Sequence, residues 1–171
     1  MTRVWIVSGI PGSGKSTTAR ALAASQPRGV HIEGDLLQRM IISGGVPPRP
    51  DHDDEAERQI GLSIRNQCLL ARSFLDAGFA VVIDYVVTNA DRLGEYQRLL
   101  ASHDPELLIL APGPAVAAAR DGSRVGKNVL SHWRHLDNEM REQLGSVGRW
   151  IDNSELTVSE TISEILRPAM R

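Results

Sequence analysis

Residues Gly9-Ile10-Pro11-Gly12-Ser13-Gly14-Lys15-Ser16-Thr17 follow directly on the apolar run Val4-Trp5-Ile6-Val7. The stretch fits G-x-x-x-x-G-K-[ST], a pattern with physical meaning only between a strand and a helix. In that context the glycines let backbone N–H groups wrap a phosphate chain, and the helix N-terminus turns its partial positive charge toward it. Both flanks read correctly, since the chain continues helically through Thr17-Thr18-Ala19-Arg20-Ala21-Leu22-Ala23-Ala24. Gly9, Pro11, Gly12, Ser13, Gly14, Lys15, Ser16 and Thr17 are therefore candidate nucleotide-binding residues. Lys15 would reach the β- and γ-phosphates and Ser16 would set its hydroxyl on Mg²⁺. Only two of the 19 basic residues are lysines, Lys15 and Lys127, so the loop keeps a compact ammonium in a chain that otherwise uses arginine.

A length of 171 residues fits one domain, residues 1–171, and 42% hydrophobic with 23% charged residues is ordinary globular composition. A formal charge of −2 gives no general attraction to nucleic-acid backbones or anionic membranes, so neither is expected as a partner. Cys68 falls within an apolar helical pattern and reads as a buried core thiol. The apolar run at the N-terminus is too short for a signal peptide or a membrane span. The expectation is a cytoplasmic protein, monomer or homodimer.

Further short apolar runs occur at His31-Ile32, Phe79 to Ile83, Leu107 to Leu110 and Trp150-Ile151. Non-alternating strands separated by helices argue for a parallel sheet covered on both faces. Ile60, Ile64, Cys68, Ala71 and Leu75 keep helical spacing between Asp54 and Ala77, and Gly78 ends the pattern as a C-terminal cap would. Val129, Trp133, Leu136, Met140 and Leu144 form a second stripe, Ala115 to Ala119 suggest a helix close to the sheet, and Thr157 to Glu160 open the last helix with a capping box. The Pro- and Gly-rich run from Ser43 to Pro50 reads as a loop inside an acceptor-binding region spanning about residues 35–77. The polar run from Asp121 to Asn128 begins a lid of about residues 121–135.

Two acidic residues follow strands. In the order 2-3-1-4-5, commonest among small P-loop kinases, a spacing of about 4.8 Å per strand sets Asp84 beside the Mg²⁺-phosphate site and Asp35 roughly 10 Å away. Asp84 is then the metal-side carboxylate, acting through water and bordering the acceptor. Asp35 could take the proton of an attacking hydroxyl, or could cap the helix that follows. Glu33 could hold a metal-bound water if the strand persists that far. Tyr85 after Asp84 supplies no second acid to polarise water, which favours transfer to a bound acceptor over hydrolysis. An Asn-Lys-x-Asp run that would specify guanine is missing. Arg120 and Arg124, one helical turn apart, could meet the departing phosphoryl group, with Lys127 joining them, or form a solvated helix end. Arg65 reads as an acceptor-side residue, and Arg39, Arg49 and Arg92 are weaker candidates. Asp51 to Glu55 read as an acidic helix start, and His132 and His135 as lid surface.

These residues together, with the closing Trp150-Ile151-Asp152-Asn153-Ser154, make the chain resemble small P-loop kinases of the gluconate, shikimate and chloramphenicol phosphotransferase type. It also looks like the AAA_33 group. The resemblance implies an α/β three-layer P-loop fold with a five-stranded parallel sheet of order 2-3-1-4-5 and a small helical lid. It further implies ATP and Mg²⁺ as cofactors, Lys15, Asp35 and Arg124 as catalytic residues, and Arg120 with Arg124 on the nucleotide. Asp152 to Leu156 would lie near the adenine. The acceptor would be a small hydroxyl compound such as an antibiotic, sugar or nucleoside, but no gluconate- or shikimate-type signature fills Ser43 to Arg65. Two alternatives stay open: a polynucleotide 5′-hydroxyl kinase and a nucleotide-binding regulatory module without turnover.

Overall fold

The computed structural model describes residues 3–47, 53–122 and 135–167. Five strands, β1 (Val4–Ser8), β2 (Gly29–Glu33), β3 (Ala80–Asp84), β4 (Glu106–Leu110) and β5 (Arg149–Ile151), form one parallel sheet in the order β2-β3-β1-β4-β5. That is the expected order. The helices are α1 (Lys15–Ala24), α2 (Gly34–Gln38), α3 (Asp54–Asp76), α4 (Ala90–Leu99), α5 (Pro114–Gly122), α6 (His135–Leu144) and α7 (Val158–Leu166). Each strand sends alternate residues to opposite faces. Trp5, Val7, Val82, Leu108 and Leu110 pack with Ala19 and Leu22 of α1 and Ile165 of α7. Val4, Ile6, Val81, Ile83, Leu107 and Ile109 pack with α3, α4 and α6 on the other side. Burial on both faces explains why the strands read as apolar runs without polar alternation.

The helix boundaries follow local chemistry. Asp53 accepts hydrogen bonds from Glu55 and Ala56 N–H, so the acidic run opens α3 as a cap and a dipole-stabilised first turn. Gly78, at φ +82°, donates its N–H to Leu75 and ends the helix. Thr157 and Glu160 form the expected reciprocal capping box. Of the second apolar stripe, Leu136, Met140 and Leu144 are buried, and Val129 and Trp133 lie outside the described residues. Among the described residues no helix is long and apolar enough to cross a membrane.

One expectation needs correction. Asp35 does not cap a helix, because α2 begins at Gly34 with Glu33 as its N-cap, leaving Asp35 within the first turn and exposed. Glycine is required at 34, where a Cβ would stand 2.5 Å from the Tyr85 ring and 2.6 Å from Gln67 Nε2. The chain therefore turns from β2 straight into α2 against those two side chains.

Three buried groups make stability sensitive to alkali. Burial, and secondarily the Glu95 carboxylate, pushes the Cys68 thiol up to about 12. Tyr85 is pushed up to about 12 and Tyr96 well above its usual value, both chiefly by burial. Raised native values mean that the unfolded chain loses these protons first, so stability falls as pH climbs from about 9 toward 12. We expect the urea midpoint to drop over this window, and the drop to be shallower in Tyr85→Phe; a flat midpoint would contradict the burial of these groups.

Candidate functional site

The loop between β1 and α1 is shaped by backbone proximity. Gly9, Gly12 and Gly14 have φ of 143°, 81° and 91°. A Cβ on Gly12 would meet the Ala117 carbonyl oxygen of α5 at 2.1 Å, and one on Gly9 the Leu110 carbonyl oxygen at 2.5 Å. Gly14 is the N-cap of α1 and has no side chain to satisfy the first-turn N–H groups. Ser13 Oγ is buried without a hydrogen-bond partner in the loop, and Lys15 Nζ donates to the Ile10 carbonyl at 3.4 Å. Ser16 and Thr17 face solvent at the start of α1. Such a loop fits an oxyanion that would accept from these donors.

Across the sheet edge, Val7 registers with Asp84, and Asp84 with Glu33. Parallel register keeps all three side chains on the face that α1 covers. Asp84 is only 4% exposed, and His31 Nε2 lies 3.8 Å from its Oδ2, too far for a hydrogen bond. Glu33 pairs with Arg39 at 3.5 Å. The Ser16 hydroxyl and Asp84 carboxylate are hard oxygen donors of the kind that hold Mg²⁺, which uses one or two carboxylates and retains water. The residues present therefore fit this ion.

Beyond Asp84 a buried polar network ties α2, α3, α4 and the end of β3 together. Tyr96 donates to Gln67 Oε1 in a short contact, Gln67 Nε2 donates to Ser63 Oγ at 3.0 Å, and Ser63 Oγ to the Gly34 carbonyl at 3.5 Å. The Tyr85 hydroxyl donates to Gln38 Oε1 at 3.2 Å. After burial, the Asp35 carboxylate is the largest influence raising Tyr85, and the neighbouring Gly34 packs against the Tyr85 ring. With 23 residues α3 is about 34 Å long against about 17 Å for a strand. Because Ser63 meets the end of β2, the turns before it stand beyond the sheet edge. There Glu57 receives two hydrogen bonds from Arg92 NH2, at 2.9 and 3.1 Å, while Arg92 NH1 donates to Thr88. Arg65 is exposed and about 200° around the helix from Ser63, so it is not brought toward Asp35.

On the opposite flank Asn153 Nδ2 donates to the Ser13 carbonyl at 2.9 Å. Arg120 NH2 donates to the Asn153 and Ser154 carbonyls at 3.0 and 3.2 Å, and Gly113 N–H to Ser154 Oγ. The Ser154 hydroxyl and N–H hold the Asp152 carboxyl below its usual range. Thus Arg120 organises the loop after β5, next to the phosphate loop. Arg49, Arg124, Lys127 and His132 lie outside the described residues. His31, Glu57 and Gln67 were not singled out by sequence reasoning, and Asn153 was named only within the stretch Asp152 to Leu156 expected near the adenine; for His31 the alternation back from Glu33 was the available signal.

This sheet order, with a glycine loop feeding α1 and a buried aspartate on the adjacent strand, defines a P-loop NTPase fold. The chain belongs to the AAA_33 family, described as an AAA domain, whose model matches residues 4–144. It is similar to an unliganded sugar kinase from Janibacter sp., with 18% identity, 97% of this chain and 93% of the other covered, and a TM-score of 0.73. The tunicamycin resistance protein of Deinococcus radiodurans has 17% identity over 96% and 94% of the two chains, with a TM-score of 0.69. A gluconokinase from Sinorhizobium meliloti has 19% identity over 96% and 89%, at 0.62. No curated protein matches the sequence. At these identities the structural likeness concerns the fold.

The tight packing of the loop and its backbone strain can be separated by mutation. Gly12→Ala forces a Cβ against a carbonyl at 2.1 Å, whereas at Gly14 the nearest atom is Asn153 Nδ2 at 3.7 Å. Both carry backbone strain, but only the first is also overpacked. Gly12→Ala should lose about 1–3 kcal/mol more in urea unfolding than Gly14→Ala. Equal losses would mean that the contact with α5 does not constrain the loop.

Proposed function

We propose that this protein transfers the γ-phosphoryl group of ATP to a hydroxyl of a small molecule in the cytoplasm. The observation that carries the reading is the common sheet edge shared by the phosphate loop, buried Asp84 and exposed Asp35. The family membership and the kinase names of similar structures support it. In this reading the loop N–H groups and Lys15 hold the β- and γ-phosphates, and Asn153 braces the loop through Ser13. Ser16 and Asp84, the latter through water, would hold Mg²⁺, with Glu33 next in the row; the ion offsets phosphate charge. Asp35 accepts the proton of the acceptor hydroxyl as its oxygen bonds to the γ-phosphorus and the bond to the ADP oxygen breaks. Arg124 meets charge on the transferring group, and Arg120 supports the loop beside the nucleotide.

A panel of sugars, nucleosides and hydroxylated antibiotics incubated with ATP and Mg²⁺, read by mass gain of one phosphate, tests the reading. At least one compound should gain phosphate, whereas ATP turnover indifferent to every acceptor would favour a non-transferring nucleotide binder. In Lys15→Met, calorimetry should register ATP affinity reduced at least about 10-fold, since a flexible cation is lost from the phosphates.

Asp35 divides a kinase from a binder. Because it is not the cap of α2, Asp35→Asn leaves the capping residue untouched while removing the charge and the proton-accepting oxygen pair. The variant should fold, keep its ATP affinity and lose roughly 10²-fold in phosphoryl transfer. Full activity would send the search for the base to Glu33 or Asp84.

A further inference from the structure

Tyr85 packs against Gly34 and hydrogen-bonds Gln38 of α2, while Glu57 of α3 pairs with Arg92 of α4; an acceptor bound between these three helices would lie in a cup bordered by Asp35, Glu57 and Arg92. Tyr85 lies within electrostatic reach of Asp35, Arg92 and Glu57. Of the three charged groups that act on its phenol, two are carboxylates and one is a guanidinium. Both terminal nitrogens of that guanidinium are already engaged: NH2 donates twice to Glu57 and NH1 donates to buried Thr88, while Nε is buried without a hydrogen-bond partner. Arg39, the other arginine of α2 and its flank, is paired with Glu33. An arginine held at both terminal nitrogens offers an incoming anion little, because binding would require breaking its pair with Glu57 and leaving that carboxylate beside the new charge. Asp35, in contrast, remains exposed at the rim and its field repels anions.

We propose that Glu57 is a specificity-determining residue that, by occupying Arg92, restricts the acceptor to uncharged or cationic hydroxyl compounds and rejects carboxylated or phosphorylated ones. The inference rests on the phosphotransferase reading only in regarding the cup as the acceptor site. Its geometry suits this role, since Glu57 belongs to the part of α3 that stands beyond the sheet edge and Arg92 opens α4 after the strand that bears Asp84. The pair bridges elements 35 residues apart, so it fixes the width of the cup as well as its charge. A polyol or an amine could hydrogen-bond to Glu57 and Asp35, whereas a carboxylate or phosphate would meet a rim whose carboxylates outnumber its one, already paired, guanidinium.

Two arms test this. With the phosphate loop filled by a non-hydrolysable ATP analogue and Mg²⁺, sulfate should raise the Tm of the native protein no more than chloride at equal ionic strength. Glu57→Gln should gain a saturable, sulfate-specific rise as Arg92 is released. Secondly, matched acceptors are compared by phosphate gain: glucosamine and glucose against gluconate, and a nucleoside against its 5′-monophosphate. The uncharged or amino member should have a kcat/KM at least about 10-fold higher, with the ratio reduced in Glu57→Gln and restored in Glu57→Asp. Preference of the native protein for gluconate or the monophosphate, or sulfate-specific stabilisation of the native protein equal to that of the variant, would overturn the proposal. Should Glu57→Gln fail to fold, the native protein's own response to sulfate and to the matched pairs still decides. If no compound accepts phosphate, the phosphotransferase reading loses its support, while the sulfate arm still reports on the charge of the cup.

Discussion

Backbone packed on backbone is the constraint from which the site is built. The phosphate loop crosses the tips of β1 and β4 so closely that the Ala117 and Leu110 carbonyls occupy the space where side chains of residues 12 and 9 would begin. Close approach of this kind fixes the loop against two elements, β4 and α5, that are remote in sequence. Asn153 adds a third tether through the Ser13 carbonyl, and Arg120 holds the Asn153 segment in turn. A loop restrained from three sides keeps its N–H groups aimed with little ordering left to be done when an anion arrives.

The central position of β1 then distributes the remaining roles. On one side β3 delivers Asp84, and β2 beyond it delivers Glu33 and leads into α2; on the other, β4 and β5 deliver the segments that brace the loop. Alternation does the sorting, because Val7, Asp84 and Glu33 occupy equivalent register positions and share the face of α1. The opposite face carries the network of Tyr96, Gln67 and Ser63, buried polar groups that cost stability unless paired. Their pairing ends at the Gly34 carbonyl, so the network orients the helix that carries Asp35. Gly34 completes the fit by leaving room for Tyr85 and Gln67.

Much of this was legible in the sequence. The glycine motif, the non-alternating apolar runs, Gly78 and the Thr157 capping box each report a local requirement that few other arrangements satisfy. A helix after Asp35 was legible but its start was not, because five residues are too few for periodicity to fix a boundary, and so Asp35 was read as a possible cap. Helix α4 carries Gly94 in its middle and was passed over, although Asn89, accepting from Arg92 N–H, offered a start signal. Arg65 read as the acceptor-side arginine and Arg92 as a weaker candidate, yet Arg92 is bound to Glu57 and Arg65 faces away from α2. Such pairings depend on the packing of α3 against α4, which no local pattern encodes.

The same dependence separates the two aspartates. Chemically identical, they differ in that Asp84 terminates a central strand and is 4% exposed, whereas Asp35 sits on an exposed first turn. Taking a carboxylate out of water is costly unless a cation or hydrogen-bond donors replace the lost hydration. His31 stands nearby at 3.8 Å but makes no hydrogen bond to it, so the strand end retains an electrostatic demand that a divalent cation beside the phosphate loop would meet. Asp35, exposed on its helical turn, carries no comparable desolvation. Burial, set by strand order, thus divides one residue type into a desolvated carboxylate and a hydrated one, the difference that the proposed roles of metal-side charge and acceptor-side base call for.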